Sequence, residues 1–433
     1  MSSDFQRTLP GPDNILRKQF PNGVTVLIRE NPWSATAALC GSLFAGSCLE
    51  PADKTGLAPF VSASLTAGTR TRSFEQISEY METTGTSLGF TAGPHTVKFS
   101  GHCLSEDLSD LLGLLREILD GPAFPEHYIE ILRQRALAAY ELHLDDPEDM
   151  ADEWFDRMVW GMDHPYGRPE FGSAGVIRGF TRDDMVRYHR RFFGPEKFIL
   201  TLSGGFRGAE IMDRCEELFG SWDKPQEKTD EDALFPPVPR PDAPLSKHVE
   251  IKNKKETALI IGTFGPAGNA PDLTAAKLGN SIFGEFGMMG RIGRIVREEN
   301  GLAYSVSSSV DSLRKGGCWS VAAGVNPANV GKAADLIFEE LRRFTREPVS
   351  AQELEDVKAC YIGSMPLAFE SNAGIASALH SLEFYQKGLD HFLRAADRVR
   401  AVTPETILET AKKWIDPERM VTVTAGTAGE AGD

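Results

Sequence analysis

The sequence predicts an α+β protein made of two homologous halves, each a mainly antiparallel sheet packed by helices. Three observations carry this. Strand-like alternation and helix-like spacing succeed each other along the whole chain. A Pro- and acid-rich stretch without periodicity, residues 223–247, divides the 433 residues nearly in the middle and reads as an extended linker. Finally, the two halves match at fixed spacings. Thr403 minus Thr181, Pro417 minus Pro195 and Gly426 minus Gly204 each give 222. Residues 111–119, Pro122 and Glu126 likewise resemble residues 337–345, Pro348 and Gln352, and Pro348 minus Pro122 gives 226. A constant offset across a helix–turn–strand unit marks a duplicated domain. The boundaries expected are an N-terminal domain over 1–222, a linker over 223–247 and a C-terminal domain over 248–433.

Each element has its own reason. Asn22-Gly23 is a turn signal, and residues 24–29 (VTVLIR) alternate as a strand. Residues 35–48 are small and apolar, suited to a buried strand. Residues 56–69 (GLAPFVSASLTAGT) read as a short helix, with Leu57, Phe60, Val61 and Leu65 on one stripe. Thr55 is placed to cap it, and Pro59 is tolerated near its first turn. The opposite face, Ala58, Ser62, Ala63, Thr66 and Ala67, is small throughout. Residues 73–84 form a second helix, 87–103 contain at least one long strand, and 105–119 are amphipathic. Residues 125–160 are mostly helical with a break at Asp145-Asp146-Pro147. A helix over 181–193 and a strand over 198–202 complete the half. The second half repeats the order: strands over 248–252 and 258–263, a helix over 273–283, a tight turn over 284–290, a helical run to Arg297 and a strand over 302–310.

Composition excludes several classes. The net charge of −16 argues against non-specific nucleic-acid binding. No run of 18 apolar residues suggests a membrane span. The first 14 residues lack a signal pattern, so a cytoplasmic location is expected, or the periplasm if a signal was removed. The six cysteines contain no CxxC pair and read as buried reduced thiols.

Few motifs carry chemistry. The glycines of 284–290 do not form GxGxxG and follow a helix, not a strand, which argues against a phosphate cradle. No Ser-His-Asp or Cys-His arrangement is legible in the sequence, and no two histidines stand in HxxxH spacing. His164 lies in a turn-like HPYGR segment and reads as structural. Asp145, Asp146, Glu148, Asp149 and Asp152 read as a helix cap with a charged first turn, favoured by the helix dipole. Arg297 and Tyr304 flank Gly301 across a helix–strand turn. Both donate hydrogen bonds and could hold a carbonyl or oxyanion. The alternative is an arginine capping its own helix and a tyrosine belonging to the sheet.

These landmarks together resemble the pitrilysin/insulinase family of zinc peptidases, in its mitochondrial-processing-peptidase-like bacterial branch. The resemblance rests on Asn22-Gly23-Val24, Gly56-Leu57-Ala58, Gly68-Thr69, Asp146-Pro147, the HPYGR segment from His164, Gly290-Arg291 and the run from Arg297-Glu298 to Gly301-Leu302-Ala303-Tyr304-Ser305. It implies a clamshell of two halves. Active members carry HxxEH after the Gly-Leu-Ala turn, with a third ligand, a glutamate, about 76 residues beyond the second histidine. Here Pro59 and Ala63 occupy the histidine positions, Ser62 that of the base and Ala139 that of the glutamate. Glu141 is two positions off. No metal is therefore expected in this chain. The pair matching Arg297 and Tyr304 binds the substrate carbonyl and assists the transition state in the family. The resemblance thus implies a zinc-less subunit of a heterodimeric metalloendopeptidase, with peptide as substrate and zinc in a homologous HxxEH-bearing partner. Two alternatives share it: a catalytically inactive structural protein, like the core subunits of the respiratory bc1 complex, and a peptide-binding homodimer.

Overall fold

The computed structural model describes residues 9–169, 171–223, 229–286 and 290–427. Among them, strands β1 (Leu16–Gln19), β2 (Thr25–Glu30), β3 (Thr36–Leu43), β4 (Ser87–Ala92), β5 (Val97–Leu104) and β6 (Ile199–Gly204) form one sheet, ordered β1-β2-β6-β3-β5-β4. Strands β7 (Leu245–Glu250), β8 (Thr257–Phe264), β9 (Ala303–Leu313), β10 (Gly316–Val325) and β11 (Val421–Gly426) form the second, ordered β7-β11-β8-β10-β9. With β1 set aside, the two orders are the same. Each sheet is antiparallel except for one pair, β2 with β6 in the first and β7 with β11 in the second. The duplication read from the offset of 222 is therefore a duplication of topology.

The helices used below are α1 (Leu57–Ser64), α2 (Phe74–Thr84), α3 (Leu108–Asp120), α4 (Glu126–Asp145), α5 (Pro147–Trp160), α6 (Arg182–Phe192), α7 (Leu273–Asn280), α8 (Val330–Phe344), α9 (Ala351–Ser364), α10 (Asn372–Phe384) and α11 (Pro404–Trp414). The matched helices α6 and α11 start alike. Thr181 Oγ1 accepts from Asp184 N–H and Thr403 Oγ1 from Thr406 N–H, both at 3.2 Å. The break expected in 125–160 is a cap: Asp146 Oδ1 accepts from Glu148 N–H (2.8 Å) and Asp149 N–H (3.1 Å), with Pro147 in the first turn.

The chain forms two compact units, and they are not the sequential halves. The first comprises 1–140, 169–231 and 365–394; the second comprises 141–168, 232–364 and 395–433. Each thus includes a helix from the other's stretch of sequence. In the first unit, α10 packs on β6 and β3. Thr201 Oγ1 on β6 donates to Ala376 O (2.7 Å), and His380 Nε2 lies 2.8 Å from Ser42 Oγ. In the second unit, α5 packs on β8 and β11. Gly262 of β8 leaves the room, since a Cβ there would lie 2.6 Å from the Phe155 ring. On the other face of this sheet Leu259, Ile261 and Val321 join Phe283, Ile337, Leu341, Phe344 and Ile407 in one core. Covered on both faces, β8 is buried at every position, which explains the apolar run of residues 258–261 within it.

Several expectations need correction. Thr55 does not cap α1. The cap is Gly56, left-handed at φ 91°, while the buried Glu50 carboxylate accepts from Gly56 N–H (2.9 Å) and Ala58 N–H (2.6 Å). Thr55 Oγ1 turns back to Ala52 O. The segment 223–247 is not uniformly extended. Residues 224–228 lie outside the described residues, Glu231–Leu234 form a helical turn, and Leu245 opens β7. Phe235, 6% exposed, packs on Tyr166 and His164, because apolar side chains within a polar stretch still find a core. Cys360 is exposed, unlike Cys48, Cys103, Cys215 and Cys318. The turn expected over 284–290 lies partly outside the described residues, but its ends meet: a Cβ on Gly290 would lie 2.5 Å from Gly284 Cα.

Candidate functional site

In the first unit, the positions of interest lie on α1 and α4. The stripe Leu57, Phe60, Val61 and Leu65 is buried as expected. Pro59 is half-buried, Ser62 buried and Ala63 exposed. The Ser62 hydroxyl donates to Pro59 O at 2.9 Å, so it is engaged by the backbone of its own helix. Ala139 is exposed on α4. Zinc requires nitrogen, sulfur or carboxylate oxygen ligands at about 2.0–2.3 Å. Pro59, Ala63 and Ala139 carry no side-chain donor atom, and one serine does not make a site. These residues do not fit a zinc ion. Among the described residues, no group of three or more His, Cys, Asp or Glu is arranged to hold a metal.

In the second unit, Arg297 lies in the last turn of a helical run and Tyr304 is the second residue of β9. The run begins at Gly290, whose carbonyl accepts from Arg294 N–H (3.1 Å). It continues over Gly293–Glu299 in wide turns. It ends on Gly301 at φ 63°. Gly301 N–H donates to Arg297 O and Leu302 N–H to Val296 O, both at 3.0 Å, and Asn300 Nδ2 donates to Ile295 O at 2.9 Å. Three late carbonyls are satisfied this way, so the Arg297 side chain does not cap its own helix. Arg297 is exposed and Tyr304 is 63% exposed. Among the described residues, neither the guanidinium nor the phenol has a hydrogen-bond or ion-pair partner.

The strand carrying Tyr304 is an edge, with β10 on one side only. A buried amide holds it in place: Asn280 Nδ2 donates to Ser308 O (3.1 Å) and Trp319 Nε1 donates to Asn280 Oδ1 (3.0 Å). One residue along from Tyr304, Ser305 and Ser307 line a cleft of about 260 Å³ together with Glu148 and Asp152 of α5. Burial, with the charges of Asp149, Asp311 and Glu148, pushes the Asp152 carboxyl up to about 6. Burial and the charges of Asp152 and Asp311 push Asp156 up to about 7. Sequence reading identified Asp152 only as part of a helix start. The spacing of Glu148, Asp152 and Asp156 at i, i+4 and i+8 was the signal for a shared face. His164 is structural: 4% exposed, it stacks on Trp160, its Nδ1 accepts from Tyr166 N–H, and burial pushes it down to about 4.

The two duplicated α+β units define a class of fold, one unit carrying Pro59, Ser62, Ala63 and Ala139 and the other an exposed Arg297 and Tyr304. Comparison with known proteins gives the family. Residues 25–160 match the model described as insulinase (peptidase family M16), and residues 179–360 match that described as peptidase M16 inactive domain. The chain belongs to the pitrilysin/insulinase family. Proteins called uncharacterized zinc proteases are similar to it. The one from Rickettsia bellii is 26% identical, covering 83% of this chain and 85% of its own length. YmxG of Bacillus subtilis is 24% identical, with coverage of 82% and 85%. Among solved structures, a peptidase M16 inactive domain from Pseudomonas fluorescens has a TM-score of 0.89 at 22% identity, covering 96% of this chain and 98% of that one. A protease from Helicobacter pylori has a TM-score of 0.86 at 17% identity, with coverage of 96% and 100%. No helix among the described residues is long and apolar enough to cross a membrane.

Proposed function

We propose that this chain is the non-metal subunit of a heterodimeric zinc endopeptidase, lending Arg297 and Tyr304 to an active site whose zinc is held by a homologous HxxEH-bearing partner. One observation carries the reading. Two hydrogen-bond donors suited to a carbonyl stand exposed and, among the described residues, without partners, one of them on an edge strand, in a chain with Pro59, Ala63 and Ala139 at the positions that match the family's ligands. Peptide hydrolysis develops negative charge on the scissile carbonyl oxygen. A cationic fork and a phenol aimed at that oxygen stabilise it more in the transition state than in the ground state.

The test mixes the purified chain with its HxxEH-bearing homologue and follows cleavage of internally quenched peptides. Hydrolysis is expected from the mixture. Replacing Arg297 with Ala and Tyr304 with Phe is expected to lower kcat/KM by at least about 100-fold, the scale for losing one oxyanion donor. Full activity of the double variant would exclude the shared site and leave the structural or peptide-binding homodimer as the reading.

A further inference from the structure

We infer that Arg291 is a positioning residue: its fork on Glu353 and Glu340 sets the place of the helical run that ends in Arg297. The inference rests on the role proposed for Arg297 and extends it to a residue that makes no contact with substrate.

The geometry is specific. Arg291 Nε and Nη2 donate to the two carboxylate oxygens of Glu353 at 2.8 and 2.9 Å, a bidentate pair. Arg291 Nη1 reaches Glu340 Oε1 at 3.3 Å. The Arg291 side chain is 11% exposed and that of Glu340 is 3% exposed, while that of Glu353 is 36% exposed, so water does little to replace the bond to Glu340 and reaches the pair only from the Glu353 side. Both acceptors are themselves held. Glu340 lies on α8, whose Ile337 and Leu341 are in the core. Glu353 closes a capping box at the start of α9: Ser350 N–H donates to Glu353 Oε2 (2.9 Å), and Ser350 Oγ accepts from Glu353 N–H (3.2 Å). The Arg291 bonds, with those from Ser350, hold the Glu353 carboxyl down at about 2. One arginine thus ties the start of the run to two helices of the second unit.

The run needs such a tie. At this end the backbone of Gly290 lies against that of Gly284, where neither residue has a side chain, and Ile292 fills the space beside Gly284. Its buried side chains are few: Ile292 and Val296 at 0% exposure. Arg297 lies less than two turns beyond Arg291, so a shift at the anchor is carried to the guanidinium. A lysine cannot replace the fork, because an ammonium is a point charge without the planar pair of donors.

The experiment uses the full-length chain and two variants, Arg291→Lys and Glu353→Gln, with two readouts. The first is amide hydrogen exchange of the chain alone. Exchange over 293–304 is expected to accelerate about tenfold or more, while β8 and β10 keep their protection. The second is hydrolysis of a quenched peptide with the HxxEH homologue, where kcat is expected to fall by at least about tenfold with KM changed little. Folded variants with unchanged exchange over 293–304 and unchanged kcat overturn the inference. If Arg291→Lys loses protection in β8 and β10 as well, the fork is a global stability element and the positioning role is equally overturned. If Arg297→Ala leaves hydrolysis intact, the proposed function fails, and the exchange readout still decides what Arg291 does.

Discussion

At the scale of single residues, the chain separates groups that hold structure from groups left free to act. Glu50 is the clearest of the first kind. Its carboxylate takes two N–H groups at the start of α1, where the helix dipole adds to its stabilisation. Glu50→Ala is expected to cost about 2 kcal/mol, the scale for hydrogen bonds to a buried charge, read as a lower urea midpoint at unchanged m-value. Asp156 gives a prediction of opposite sense. Its carboxyl is pushed up to about 7 in the folded chain, above its value near 4 when unfolded. The folded state therefore binds the extra proton. That contribution is fully present below about pH 4 and is lost as pH rises through about 7. Asp156→Asn is expected to raise the melting temperature at pH 8 relative to the parent and to leave it nearly unchanged at pH 4, measured by thermal melts at both values. The function proposed above places Arg297 and Tyr304 in the second kind. Sequence alone left them open to a capping role; the bonds of Asn300, Gly301 and Leu302 to the late carbonyls remove the cap as an explanation for Arg297.

At the scale of elements, what was legible depended on whether the signal is local. The stripe of α1, the cap at Asp146-Pro147 and the matched starts of α6 and α11 are written in neighbouring residues, and sequence spacing is enough to read them. The cap of α1 was not, because Glu50 acts from outside the helix and across a 3-10 turn that no periodicity marks. The linker was misjudged for a related reason: composition describes solvation on average, whereas Phe235 and Leu245 are decided by the cores they reach. The tie between Arg291 and Glu353 spans 62 positions, a distance at which spacing carries no information. Two elements also make a pH prediction. His164 and His380 are buried and pushed down to about 4. Their folded values lie below the unfolded value near 6.5, so stability falls as pH drops from about 6.5 to about 4. His380→Gln, which keeps a polar group facing Ser42, is expected to remove part of that fall in pH-dependent denaturant melts.

At the scale of the whole molecule, the duplication was legible and the assembly of its parts was not. An offset of 222 locates equivalent helices, but it does not say which sheet each one covers. α5 and α10 each pack with strands from the other half of the sequence. Residues 1–222 alone therefore lack α10, which covers β6 and β3 and receives the Thr201 and Ser42 contacts. That fragment is expected to show no cooperative unfolding transition, whereas the full chain does; a cooperative melt of the fragment would contradict the exchange of helices. The chain also carries a chemical expectation as a whole. With Pro59, Ala63 and Ala139 at the ligand positions, the purified chain is expected to hold far less than one equivalent of zinc after dialysis against the metal.

The central claim is that catalysis is divided between two chains, zinc in one and the Arg–Tyr pair in this one. The most direct measurement is peptide hydrolysis by a mixture of this chain and its HxxEH-bearing homologue, with complex formation followed in parallel by size-exclusion chromatography. The expected result is hydrolysis that requires both chains and falls by at least about 100-fold with Arg297→Ala/Tyr304→Phe, at unchanged complex formation. Hydrolysis that proceeds equally without this chain, or with the double variant in its place, would contradict the account.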